Sequence, residues 1–120
     1  MQPLIKRATM LRKYRLGPNV TGLYGNIESA GSMQYSFILA VQRDTERQPF
    51  VFVTSEVSVL AHAMGPSHVL GIFEGDRHVN MGFSDEWADL EHFTMRALEI
   101  AAGYVGVTDP PKLTWSPPEV

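Results

Sequence analysis

The stretch "EGDRHVNMGFSDEW", residues 74–87, gathers the residue types that do chemistry. His78 is the side chain whose charge changes nearest neutral pH, and Asn80, two residues on, shares its face if the segment is a strand. An imidazole and a carboxamide side by side could serve as acid, base or polar anchors for a ligand. The acidic run that follows, Asp85, Glu86, Asp89 and Glu91, resembles a carboxylate cluster, but at the start of a helix negative charge is favoured by the helix dipole alone.

A hairpin positions these residues. Gly75-Asp76 suits a two-residue type II′ turn, which makes strands of about 68–74 and 77–83. Paired positions then sum to 151, so Ile72 faces Val79, Leu70 faces Met81 and His68 faces Phe83 on a core side. On the other side Phe73 faces His78, Gly71 faces Asn80 and Val69 faces Gly82. The two glycines leave a hollow beside Phe73, His78 and Asn80, and close packing by other protein atoms is its simplest occupant.

A second hairpin, about 20–28 and 33–42, turns at Ser29 to Ser32 with positions summing to 61. Tyr24 then faces Phe37, Asn26 faces Tyr35 and Gly22 faces Leu39, while Leu23–Ile38 and Gly25–Ser36 lie on the reverse. "FVFVTS" (50–55) reads as a central strand buried on both faces. "SEVSVLAHAMGP" offers Ser55 as a cap and Val57, Leu60, Ala61 and Met64 as the apolar face of a short helix. From Asp85 to Tyr104, Trp87, Leu90, Phe93, Ala97, Leu98, Ala101 and Tyr104 fall within an arc of about 160°, an amphipathic helix capped by Ser84 and ended by Gly103 or Gly106.

In the basic N-terminal segment (3–16), Leu4, Ala8, Leu11 and Tyr14 form a helical stripe, whereas Ala8, Met10, Tyr14 and Leu16 fit an edge strand; helix is the favoured reading. Residues 107–120 hold four of the eight prolines and form a tail unable to enter a helix interior or sheet centre.

These elements define an α+β fold: a mainly antiparallel sheet of about five strands, two hairpins plus a central strand, with the long C-terminal helix packed on one face. The expected organisation is one domain over 1–106 followed by the proline-rich tail. The order of elements resembles that of the type III secretion chaperones, homodimers that bind an unfolded effector segment, and profilin-like and PAS-like sheets have comparable orders.

The chain of 120 residues, 44% hydrophobic and 19% charged, suits one soluble globular core. It lacks the apolar run of roughly 20 residues that spans a bilayer, and five basic residues interrupt the first sixteen, unlike a secretory signal. Cytoplasmic residence is the resulting expectation. The absence of cysteine removes disulfides, thiolate metal ligands and thiol nucleophiles. Residues 1–27 carry five of the ten basic residues and none of the thirteen acidic ones, so the segment and the acidic body attract each other, and nucleic acid is a weaker partner for it.

The remaining histidines converge on no metal motif: His62 and His92 fall on polar helix faces, and His68 fits a hydrogen-bonded edge of the core. Ser29 and Ser32 read as turn formers, and there is no nucleophile elbow or phosphate loop. With no cofactor or metal motif and more apolar sheet surface than one helix covers, the expected function is a non-enzymatic protein-binding module of chaperone, immunity or adaptor type. Its partner would be another protein or a second copy in a homodimer. The alternative is a small-molecule-binding domain or small enzyme with its pocket at the glycine-lined face, where His78 and Asn80 are polar groups and Phe73 and Tyr35 are walls.

Overall fold

The computed structural model describes residues 2–58 and 67–118. Six strands follow one another as an antiparallel meander: β1 (Ile5–Leu16), β2 (Asn19–Ser29), β3 (Tyr35–Arg43), β4 (Val51–Val57), β5 (His68–Glu74) and β6 (Arg77–Phe83). A 3₁₀ turn (Asp85–Ala88) leads into helix α1 (Leu90–Val105), and β7 (Lys112–Trp115) returns to the sheet. The strand order β6-β5-β4-β3-β2-β1-β7 makes one open sheet of seven strands, not about five.

The helix lies on one face over β3 and β4. Beneath it the inward positions of alternate residues, Leu23, Leu39, Val41, Val51, Val53, Leu70 and Ile72, meet Phe93, Ala97, Leu98 and Ala101. Strands β4 and β5 are buried on both faces, as a run of apolar and β-branched residues in mid-sheet should be. On the far face Tyr35, Ile38 and Phe73 form a second cluster with Ile5, Ile27 and Phe52, so the chain itself covers part of that surface.

Residues 5–16 are a strand, not the favoured helix. A bulge between Met10 and Arg12 sets Leu11 among the same core neighbours as Tyr14 and Leu16. Inserting one residue breaks the alternation of two and leaves apolar side chains three apart, which imitates a helical stripe. The basic side chains pair along the chain, Arg7 with Glu28, Arg12 with Glu91 and Arg15 with Asp44. Part of the proline-rich segment also enters the sheet: four residues between Pro111 and Pro117 add to the outer edge of β1, where proline is tolerated.

The β2–β3 register differs by one residue from the expected one. Tyr24 pairs with Ile38, Leu23 with Leu39 and Gly22 with Ala40, so positions sum to 62. This puts Leu23 and Leu39 together beneath the helix, whereas the other register would have set Leu39 against Gly22 on the opposite side from Leu23. The β5–β6 register is as expected from Glu74–Arg77 to Gly71–Asn80. A bulge then sets Phe83 against Val69 rather than His68, and Gly82 takes the φ of +123° that lets the strand kink there. Met81 (46% exposed) and Phe83 (53% exposed) are consequently not core residues. They lie on β6, at the edge of the sheet.

Ser84 caps the 3₁₀ turn rather than the helix, and Asp89, accepting from the His92 amide, caps α1. Gly106, in the left-handed region, ends it. Ser55 belongs to β4 and donates through its hydroxyl to the Trp87 carbonyl. It starts no helix. The rest of the expected short helix, with Leu60, Ala61, His62 and Met64, lies outside the described residues.

Candidate functional site

Three rungs of the sheet define the far face. Phe52, Phe73 and His78 form one, Thr54, Gly71 and Asn80 the next, and Tyr35, Glu56, Val69 and Phe83 the third. Cross-strand neighbours on one face are within side-chain reach, and the hollow at Gly71 is filled from within the chain. The Glu56 carboxylate lies over it so closely that a Cβ at Gly71 would be 1.8 Å from Oε2. Gly82, by contrast, has open space where a Cβ would be.

Glu56 is 2% exposed. A carboxylate so buried must be met by donors or lose its solvation uncompensated, and Thr54 and His78 reach it. The Thr54 hydroxyl donates to Oε2 at 2.6 Å, and His78 Nε2 lies 3.1 Å from Oε1 and 3.0 Å from Oε2. A carboxylate accepts, so Nε2 is the ring nitrogen that donates in this contact, and Nδ1 is the one Glu56 does not engage. The ring is also stacked on Phe73, with centroids 4.0 Å apart and planes 10° from parallel. His78 is thus fixed at one nitrogen and one ring face while remaining 23% exposed. Beside Glu56, the Tyr35 phenol is pushed up to about 12, first by burial and then by the carboxylate's charge.

A groove of about 830 Å³ opens above this pair. Glu56, His78 and Asn80 supply its charged and amide groups, and Met33, Val57, Val69 and Phe83 its apolar walls. Ser32, Gln34 and Ser58 add small polar groups. A second groove of about 400 Å³ adjoins it, lined by Leu4, Met33, Tyr35, Phe73 and His78 among others. The four residues singled out from sequence therefore divide: His78 and Asn80 share the larger groove, while Tyr35 and Phe73 line the smaller one with His78.

Thr54 and Glu56 were not among the expected site residues. The signal for Glu56 was a carboxylate within the strand-forming run "VFVTSEV", which the assignment of a helix start to Ser55 concealed. Nor was Ser32 expected to do more than turn the chain.

The other candidates have local partners. His68 shares hydrogen bonds with the Ser36 and Ser67 hydroxyls, and burial holds its pKa below the ordinary value against the opposing charge of Asp85. It is a hydrogen-bonded residue at the edge of the core, as its position implied. His92 is exposed and contacts Asp89, and His62 lies outside the described residues. The acidic run is divided among separate tasks: Asp85 accepts from the Ser67 amide, Asp89 caps the helix and Glu91 pairs with Arg12. Among the described residues no three His, Asp or Glu side chains are grouped to hold a metal ion, and no helix is long and apolar enough to cross a membrane.

No family model, curated protein or solved structure matches the chain.

Proposed function

We propose that this chain is a ligand-binding domain whose groove receives a compact molecule with an apolar body and a hydrogen-bonding group directed at His78 and Asn80. The observation that carries the reading is the groove of about 830 Å³ that both residues enter. Its size is that of small-molecule sites, which run from about 300 to 1,000 Å³, and it sets polar groups beside apolar walls. Nile red, a neutral apolar dye, should bind saturably with one site per chain, and Asn80→Trp, which fills the groove, should abolish that binding without changing the melting temperature. Equal binding by Asn80→Trp, or no saturable binding to the native chain, refutes the reading.

A specific feature favours a second reading, the protein-binding module. Among the described residues strand β6 has β5 as its only sheet neighbour, and Met81 and Phe83 on it are exposed. An edge strand with apolar side chains is a template for another strand, from a different protein or a second copy of this one. Sedimentation at micromolar concentration separates these two partners, since a homodimer must dissociate when Met81 is replaced by lysine.

A further inference from the structure

We propose that Glu56 and His78 are a hydrolytic couple, and that the groove cleaves carboxylic esters of apolar acids; this rests on the reading of the groove as a small-molecule site. The sheet makes two concessions to one carboxylate. Gly71 gives up a side chain to admit it, and Glu56 is buried, a placement that costs solvation unless donors meet the carboxylate. What the arrangement achieves is the orientation of one imidazole. Glu56 holds Nε2, Phe73 holds the ring plane, and Nδ1 is the ring nitrogen that Glu56 does not engage.

In the proposed step His78 Nδ1 takes a proton from a water molecule as the water oxygen bonds to the ester carbonyl carbon. Glu56 stabilises the imidazolium that forms. The Asn80 amide, on the same face two residues away, supplies an N–H to the carbonyl oxygen as negative charge develops there. The tetrahedral intermediate then collapses, the bond to the leaving alkoxide breaks, and the imidazolium returns the proton to that alkoxide. Met33, Val57 and Phe83 would receive the acyl chain. His78 and Asn80 are the catalytic residues in this scheme, and Glu56 is a positioning residue that acts through His78.

The test is the release of p-nitrophenolate from p-nitrophenyl butyrate by the full chain. Hydrolysis should saturate with ester and exceed that of free imidazole at equal concentration by about a hundredfold, the lower range of general base catalysis. His78→Gln should lose that advantage. Glu56→Gln should lower kcat about tenfold with KM unchanged, a split that a merely structural Glu56 would not produce. Should either variant fail to fold, acylation of His78 in the native chain by diethyl pyrocarbonate, located by mass spectrometry, must abolish hydrolysis in step with modification. Native activity no greater than that of imidazole, or activity that survives loss of His78, overturns the proposal. Retained Nile red binding alongside that result confines the failure to the chemistry, whereas absent dye binding removes the groove reading as well.

Discussion

Replacing Gly71 with alanine tests the central claim of the far face, that a carboxylate fills the hollow. The added methyl carbon would lie 1.8 Å from Glu56 Oε2, 2.7 Å from Thr54 Oγ1 and 2.8 Å from the Glu56 carboxyl carbon. Contacts below 3.0 Å do not persist, so the carboxylate must leave, and with it go the bonds from Thr54 and His78. Each hydrogen bond to a charged group contributes about 1.5–3 kcal/mol. The gain from replacing glycine in a strand offsets about 0.5–1 kcal/mol. The net loss should be about 3 kcal/mol, which for a chain of this size lowers the melting temperature by roughly 10–15 °C.

Urea denaturation of Gly71→Ala, Glu56→Ala and the double variant gives the assay. Because Glu56→Ala removes the closest clashing group and leaves only Thr54 Oγ1, at 2.7 Å, the double variant should be more stable than the sum of the single losses implies, by about 2 kcal/mol. Additive losses, or a Gly71→Ala cost below about 1 kcal/mol, would show that the carboxylate does not occupy the hollow.

Two further expectations concern residues outside that network. His68 is held neutral by burial, so as pH falls through its ordinary value of 6.5 the unfolded chain takes up a proton that the folded chain resists. Its contribution to stability, complete above pH 6.5, should be lost progressively below it, and the melting temperature of His68→Gln should depend less on pH between 7 and 5; an unchanged slope counts against this. Gly82→Ala meets no atom but must adopt a φ of +123°. It should cost about 1–3 kcal/mol through backbone strain alone, and a neutral result in urea denaturation would show that the bulge relaxes freely.

Local chemistry made some elements legible in the sequence. The turn at Gly75-Asp76, the four rungs of the β5–β6 hairpin that follow from it, and the packing face of α1 depend on neighbours close in the chain. Bulges limited the rest. Those at Leu11 and Gly82 change which face a side chain takes, and neither has a strict residue signature, so β1 imitated a helix and Phe83 was placed in the core. Strand β7 could not be foreseen because its pairing depends on an edge about a hundred residues earlier. At the candidate site, His78 and Asn80 were legible from their shared face, while Glu56 was obscured because the strand's expected end, at Ser55, fell one residue short of it.

The seventh strand has a consequence for the order in which the sheet assembles. Every other pairing joins strands consecutive in sequence, an arrangement of mostly short loops that favours rapid closure. The pairing of Lys13 with Trp115 instead closes the longest loop in the molecule, and β7 is four exposed residues held by one neighbouring strand. It is therefore the element expected to dock last and to open first. Amide exchange in β7 should be faster than in β4 or β5, and the indole of Trp115 reports fraying at this edge before the core has begun to melt.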